Sequence, residues 1–259
     1  MKFYFYKREL PERGSLNMAF DEFLLRASQE GGIHFRIYDW EVPTVSIGVN
    51  QSVSKTLDLN FIESQSIPFV RRITGGKAVL HHNEITYAVA SAESLFFENP
   101  SPIYPYLLVA KALKLFLEKL GIEAELAQRH APHLSRKNIA CFSFPAEWEV
   151  KVKGRKVISG AMKRLRHSFM IHGTIPLNYN RELISKVTRT PLKLLERSFY
   201  SLSELISLPP KETLERKLIS AFAEFFSAQI EEVDSKRFEK EILQIEKKYK
   251  SREWNFKIP

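Results

Sequence analysis

The stretch RRITGGKAVLH, residues 71–81, organises the first half of the chain. It separates two runs with the apolar character of strands, residues 68–73 and 77–90. Gly75-Gly76 lies between them and favours a two-residue hairpin turn, because glycine adopts the positive φ that such turns need. On propensity alone, the two runs are therefore neighbouring antiparallel strands of a sheet.

The same stretch also has the features of a ligand-binding loop. Two consecutive glycines let a ligand approach the backbone closely, and the loop amides together with Arg71, Arg72 and Lys77 could hold an anion. The spacing is not that of a Walker phosphate loop, G-x-x-x-x-G-K-[ST]. In the run that follows, strand alternation sends His81 and His82 to opposite faces, so that one of them can line a pocket.

The rest of the chain mixes helical and strand patterns. Apolar residues at helical spacing predict a first helix that begins near Ser15, a good N-cap, and ends at Gly31-Gly32. Further helices are predicted at 106–120, 213–229 and 235–250, and strands at 33–39, 44–50, 122–126, 147–153, 156–158 and 169–177. We therefore predict an α+β fold, a mixed sheet with packed helices, in a single domain over residues 1–259 with a helical C-terminal portion from about residue 181.

Composition limits the function classes. A chain of 259 residues with 44% hydrophobic residues can bury a sizeable core. No signal-peptide pattern and no run of about 18 apolar residues occurs, which argues against secretion and membrane insertion. The single cysteine excludes an internal disulfide and suits the reducing cytoplasm.

The positive charge is concentrated in one part of the sequence. Residues 128–167 hold ten Lys/Arg against two Glu, a net +8 of the chain's formal +9. A basic surface of this kind attracts an acidic partner, whether protein, phosphate or nucleic acid. The alternative is a solvated lysine-rich surface without a specific partner.

Cys141 is the second candidate for chemistry. A lone cysteine is more commonly a small buried hydrophobe, but a thiol among cations ionises more easily and becomes a nucleophile. Lys156, in the run Gly154-Arg155-Lys156-Val157, could donate to an oxyanion that develops nearby. A zinc site built on His130, His133 and Cys141 is disfavoured, because the second ligand pair that zinc normally needs is missing.

These motifs together resemble the biotin/lipoate protein ligase superfamily, which includes lipoate–protein ligases and octanoyltransferases. The matching stretches follow in order over nearly the whole chain: Asn17–Glu22, Gly48–Gln51, Arg71–His81, Gly154–Val157, His172–Thr174 and Tyr249–Asn255. The resemblance implies the class II aminoacyl-tRNA-synthetase-like α+β catalytic fold, in which the 71–78 loop and the strand with Lys156 flank an acyl tunnel.

The resemblance also implies the site residues. Cys141 and Lys156 would be catalytic, and the substrate would contact Arg71, Arg72, Thr74, Gly75, Gly76, Lys77, Ala78, His81, Ser159, Gly160, Ala161, His172 and Gly173. One departure concerns Ser159-Gly160-Ala161, where the family commonly has Gly-Ser-Ala. The exchange moves the hydroxyl by one residue, and strand alternation would then place it on the other face.

Within the family, the region before the lysine strand is most similar to cysteine-dependent octanoyltransferases. ATP-dependent ligases usually carry Gly-Arg-Asn-Asp there, whereas this chain reads Ile139-Ala140-Cys141-Phe142-Ser143. The expected reaction moves octanoyl or lipoyl from an acyl carrier protein through a Cys141 thioester, without a cofactor. The acceptor is a lysine of a lipoyl domain of a 2-oxoacid dehydrogenase or of the glycine-cleavage H protein.

Two other hypotheses stay open. The first is an ATP-dependent lipoate–protein ligase, which would use ATP and Mg and form an acyl-adenylate. The second is a non-enzymatic protein that binds nucleic acid or a carrier through its basic surface. Because acyl carriers and lipoyl domains are typically acidic, neither nucleic acid nor a membrane is needed to explain the positive charge.

Overall fold

The computed structural model describes residues 1–7, 10–127 and 148–259 of the chain. Its strands are β1 (Lys2–Lys7), β2 (Ile33–Tyr38), β3 (Thr44–Ile47), β4 (Phe69–Arg71), β5 (Val79–His81), β6 (Glu84–Ser91), β7 (Glu125–Leu126), β8 (Val150–Val152), β9 (Arg155–Arg164), β10 (Phe169–Pro176) and β11 (Gln229–Asp234). Its α-helices are α1 (Gly14–Ala27), α2 (Val53–Thr56), α3 (Leu59–Ser64), α4 (Tyr104–Glu118), α5 (Arg181–Thr188), α6 (Leu192–Ser198), α7 (Lys211–Phe225), α8 (Glu239–Lys250) and α9 (Arg252–Asn255). None of the described helices combines the length and apolar character needed to cross a bilayer.

The strands form two sheets. The larger sheet has eight strands in the order β11-β1-β2-β6-β10-β9-β8-β7, and the smaller has the order β4-β3-β5. In the larger sheet β1 runs parallel to both β11 and β2, and every pairing from β2 onward is antiparallel. The predicted α+β class with a mixed sheet and packed helices is therefore confirmed.

Helices cover both faces of the larger sheet. Phe35 and Ile37 of β2 point to the core that contains α4 and α7, while Tyr38 of the same strand belongs to the core that contains α1 and α8. Strand alternation thus divides the side chains between two layers of helices. This arrangement explains why every residue of β2 and β6 is buried.

The smaller sheet corrects the predicted hairpin. Strand β3 lies between β4 and β5, parallel to the first and antiparallel to the second. The strands on either side of Gly75-Gly76 therefore do not pair with each other, and the hairpin interpretation is wrong. Pairing with a strand more than 20 residues earlier replaces the local turn. The predicted run 77–90 is also two strands, β5 and β6, separated at Asn83, which has a positive φ of 50°.

Two further expectations change. Ser15 does not cap α1, because its hydroxyl donates to Glu246 of α8 at 2.6 Å and the N-cap position is Arg13. The part of the chain after residue 181 contains a strand as well as helices. Strand β11 is largely exposed, and its sequence QIEEVD lacks the alternation of apolar and polar residues by which strands are recognised.

Candidate functional site

A narrow cavity of about 30 Å³ lies between the two sheets. The smaller sheet and its loop contribute one wall, and strands β6, β9 and β10 contribute the other. Its lining consists of Met18, Tyr38, Ser46, Arg72, Val79, His81, Thr86, Ser159, Gly160, Ala161, His172, Gly173 and Thr174. Seven of these residues were assigned to the site from the sequence: Arg72, His81, Ser159, Gly160, Ala161, His172 and Gly173.

Strand register assembles the wall from the larger sheet. Thr174 of β10 pairs with Thr86 of β6 and with Ser159 of β9, so that three hydroxyl-bearing residues form a row across the sheet. His172 pairs with Ala161 in the next row on the same face. The Ser159 side of β9 is therefore the cavity side, and the hydroxyl that is displaced relative to the family pattern lies in the cavity wall.

Arg72 is the central residue of the smaller sheet's wall. Its guanidinium has five N–H groups, and each has an acceptor in the protein. Nε donates to the Thr74 hydroxyl at 3.0 Å, and one terminal nitrogen donates to the carbonyl and hydroxyl of Ser46 at 3.0 and 3.1 Å. The other terminal nitrogen donates to the carbonyls of Gly75 and Lys77 at 2.7 and 2.8 Å. Arg72 therefore shapes the loop, and its contact with the substrate stays a prediction, because it also lines the cavity.

Arg71 also uses its guanidinium for hydrogen bonds within the protein. Its side chain is fully buried, and among the described residues it donates to backbone carbonyls of the 48–51 segment and of the C-terminal segment. The acceptors are the carbonyls of Gly48, Val49, Gln51, Trp254, Asn255 and Ile258. Arg71 ties these two segments of the chain together and does not line the cavity enclosed by the described residues, so its contact with the substrate stays a prediction.

Two histidines of the cavity are each held by a buried carboxylate. His172 Nδ1 lies 2.6 Å from Asp21 Oδ2, and its Nε2 lies 2.6 Å from the Thr74 hydroxyl. Burial lowers the pKa of His172 below its ordinary value of 6.5, although Asp21 partly opposes this effect. His172 is therefore neutral at neutral pH, and it connects helix α1 to the glycine loop.

The second histidine, His81, forms an equivalent chain. Its Nδ1 lies 2.7 Å from Glu84 Oε1 and its Nε2 lies 2.8 Å from the Ser46 hydroxyl. Trp40 stacks on the imidazole with a centroid distance of 3.9 Å and an interplanar angle of 11°. Of the two adjacent histidines, His81 is the buried one that lines the cavity, while His82 is more exposed, as alternation predicted.

The glycine loop is shaped by close backbone contacts. Gly76 has φ +88°, which side chains of L residues rarely adopt, and a Cβ at Gly48 would lie 2.3 Å from the Gly76 carbonyl oxygen. Ala78 is buried in the core beneath the smaller sheet, whereas the Lys77 side chain is exposed. Gly75, Gly76, Lys77 and Ala78 thus form the loop without lining the cavity that the described residues enclose.

Lys156 forms a buried ion pair. Its Nζ lies 2.7 Å from Glu149 Oε1, and the two side chains are 1% and 3% exposed. Lys156 does not line the cavity enclosed by the described residues, but it lies three residues before Ser159 on the same strand. Charges buried in this way are stable only when paired, so Glu149 holds the ammonium in place.

Cys141 and the remainder of segment 128–147 lie outside the described residues. The approach of Cys141 to Lys156 therefore stays a prediction, as does the position of His130 and His133. Among the residues that are described, no group of three or more His, Cys, Asp and Glu side chains is arranged to hold a metal ion.

Several residues of the site were missed from the sequence. Asp21 and Glu84 are buried carboxylates, and Ser46, Thr86 and Thr174 are buried hydroxyl residues. Asp21 carried a usable signal, because an acidic residue within the apolar pattern of α1 needs a buried partner. Ser46 and Glu84 carried no such signal, since a serine or a glutamate in a short strand is equally typical of a surface position.

Comparisons with known proteins agree with this architecture. The family described as "Lipoyl protein ligase A/B catalytic domain" matches residues 13–223. A protein named Octanoyltransferase LipM from Kyrpidia tusciae is 33% identical, with 94% of each chain covered, and one from Clostridioides difficile is 32% identical, with 94% of this chain and 95% of that protein covered. In fold, the chain is similar to a putative lipoate protein ligase from T. acidophilum with bound lipoic acid, with a TM-score of 0.84, 20% identity and complete coverage of both chains.

The profile match covers far more than half of the chain, and it includes the α1 helix, the glycine loop and the strands that build the cavity. The resemblance inferred from the motifs, and the lipoate-ligase form of the class II synthetase-like fold that it implied, are thus confirmed. The chain belongs to the lipoyl protein ligase A/B catalytic domain family.

Proposed function

We propose that this chain is an octanoyltransferase that moves an octanoyl group from a carrier-protein thioester to a lysine of a lipoyl domain or H protein. The observation that carries the proposal is its similarity, over 94% of both chains, to proteins named octanoyltransferases. Burial of each CH₂ of an acyl chain contributes about 0.8 kcal/mol, so a narrow channel can select chain length.

The proposed mechanism has two steps. The Cys141 thiolate attacks the thioester carbonyl, and the tetrahedral intermediate collapses to an octanoyl-thioester enzyme with release of the carrier thiolate, which takes a proton from water. The neutral amine of the acceptor lysine then attacks this thioester. An amide forms, the Cys141 thiolate leaves, and the attacking nitrogen loses one proton to water. No ATP or metal ion enters this sequence of steps.

Lys156 is the proposed electrostatic group. An ammonium held by Glu149 in a buried site is pre-oriented, and it would favour the Cys141 thiolate and stabilise the oxyanions of both tetrahedral intermediates. The cavity-lining residues of β9 and β10 would contact the acyl chain. Arg71 and Arg72 would act on the substrate through the shape of the loop.

The proposed partners are acidic domains. Lys153, Lys163 and Arg166 are exposed on and beside strand β9, which continues from the cavity wall. Acyl carriers and lipoyl domains carry the opposite charge, so these residues would accelerate their association at low salt. We further propose that residues 1–259 act as a single catalytic domain.

The test is intact-protein mass spectrometry after mixing with octanoyl-carrier protein in the absence of ATP. We expect one added octanoyl group, its absence in Cys141→Ala, and its transfer to an apo lipoyl domain. Lys156→Met should slow transfer at least tenfold, whereas Lys193→Met, an exposed position in helix α6, should leave transfer unchanged. If free octanoate and ATP support transfer and Cys141→Ala stays active, the protein is an ATP-dependent ligase and the thioester mechanism is wrong.

A further inference from the structure

Arg72 is the common end of two hydrogen-bonded chains, one through Thr74 and His172 and the other through Ser46 and His81. An arginine can only donate hydrogen bonds, so the hydroxyl oxygens of Thr74 and Ser46 accept from it. A carboxylate can only accept, so Nδ1 of His172 carries a proton and donates it to Asp21. His172 is neutral, which leaves its Nε2 without a hydrogen and makes it the acceptor of the Thr74 hydroxyl hydrogen.

We propose that Asp21, His172 and Thr74 form a proton-sensitive latch that positions the loop of residues 72–77 against the acyl cavity. Thr74 is fully buried and is the attachment point, because its carbonyl also accepts from the backbone N–H of Val49 at 2.9 Å. The inference rests on the proposed function in one respect: octanoyl transfer is one of the two measurements that test it, and NMR of the histidine rings is the other. Asp21 and Thr74 are positioning residues, since they act on the substrate through the loop, and His172 adds this role to its place in the cavity wall.

Protonation of His172 would disturb this arrangement in two ways. Both ring nitrogens would then carry hydrogens, and the buried Thr74 hydroxyl hydrogen would lose its acceptor, which is costly in the protein interior. The imidazolium and the Arg72 guanidinium would also share a single hydroxyl oxygen, so that two cations lie on either side of it. Both effects are relieved if Thr74 and the loop move away.

The charged groups around His172 determine the pH at which its ring gains a second proton. Asp21 of α1 favours the protonated ring, but its carboxylate also accepts from the Tyr38 hydroxyl at 2.9 Å and lies 3.7 Å from Arg36 of β2. Arg72 of the loop and His81 of β5 both disfavour protonation. Burial is the largest influence, and the pKa of His172 is lowered below 6.5. The latch is therefore closed at neutral pH, and it opens as the pH falls through the lowered pKa of His172.

Protonation of His81, in the second hydrogen-bonded chain, would not release the loop in the same way. Its hydroxyl residue, Ser46, lies in strand β3, whose backbone is held on both sides by β4 and β5. The imidazole is also fixed by its stacking on Trp40. The Thr74 side chain, in contrast, belongs to the loop itself. For this reason we assign the proton-sensitive role to His172.

The experiment compares pH profiles of kcat and KM for octanoyl transfer in the wild type, Thr74→Ser, Thr74→Val and His172→Gln. The wild type and Thr74→Ser, which keeps the hydroxyl, should share an acid limb that falls tenfold per pH unit below the pKa of His172. Thr74→Val should lose about tenfold in kcat at neutral pH, equivalent to one buried hydrogen bond. His172→Gln offers an amide oxygen to Thr74 but cannot gain a proton, so it should keep part of the activity and lose this limb.

A second measurement does not depend on catalysis. Long-range ¹H–¹⁵N NMR of the histidine rings, with His172 assigned from the His172→Gln spectrum or from its shift in Thr74→Val, reports the tautomer and the pKa. We expect the Nδ1–H tautomer and a pKa below 6.5 in the wild type. An Nε2–H tautomer, or an acid limb that is unchanged in His172→Gln, overturns the latch. Absence of transfer with any donor would refute the proposed function, while the NMR result would still decide on the latch.

Discussion

Substitution of Arg71 by lysine separates a structural role from a substrate-binding role. The sequence motif assigns Arg71 to the substrate, whereas the structure directs its guanidinium to six backbone carbonyls in two segments. Lysine keeps the positive charge but has three N–H groups on a single atom. It can satisfy at most three of the six carbonyls, and it cannot reproduce the planar fork of the guanidinium.

The expected magnitude follows from the carbonyls left without a donor. At least three lose their charged partner, and each such hydrogen bond contributes about 1.5 kcal/mol or slightly more. Because residues of the C-terminal segment are partly exposed, water can donate to some of the carbonyls there, which reduces the loss. We therefore expect the free energy of unfolding to fall by roughly 3–4 kcal/mol, a large fraction of the 5–15 kcal/mol typical of a domain.

The assay is urea unfolding of the wild type, Arg71→Lys and the control Arg252→Lys, each followed by fluorescence and circular dichroism. Arg252 is an exposed arginine of the same C-terminal segment, where its guanidinium lies over the Phe256 ring, and its substitution should change stability little. At a temperature at which Arg71→Lys is folded, its KM for the octanoyl donor should remain close to that of the wild type. Unchanged stability together with a large rise in KM would show that Arg71 binds substrate and that this reasoning is wrong.

Two further predictions concern stability. Gly173→Ala would place a Cβ 2.4 Å from the Tyr87 hydroxyl in a central strand and should cost about 3 kcal/mol in urea unfolding. A Cβ at Gly75 would meet no atom of the described residues within 4 Å, so Gly75→Ala should cost far less, and equal losses would contradict the packing argument. Burial alone would raise the pKa of Glu22, but Lys248 and other partners lower it below its ordinary value of 4.5. The charged carboxylate therefore stabilises the fold above that pH. Because Glu22→Gln removes the ion pairs with Arg26 and Lys248, it should lose about 1 kcal/mol at pH 7. The difference from the wild type should shrink as the pH falls below 4.5, and a constant difference down to pH 3 would count against the assignment.

Part of the architecture could be read from local patterns. Helix α1 was predicted from the spacing of its apolar residues, and β2 and β10 from short apolar runs, because these periods report which side chains are buried. The order of the motifs likewise identified the family. Strand β11 was missed for the converse reason: an exposed edge strand buries too few side chains to leave a period in its sequence.

The partners of the polar groups were decided only by the tertiary structure. Asp21 and His172 are 151 residues apart in the chain, and Arg71 reaches carbonyls 184 residues away. A pattern of residue types indicates that a buried charge must have a partner, but it cannot indicate which one, because hydrogen bonds across a fold depend on the packing of whole elements. For the same reason the motif located the glycine loop, whereas the structure alone showed that its two arginines hold the protein together.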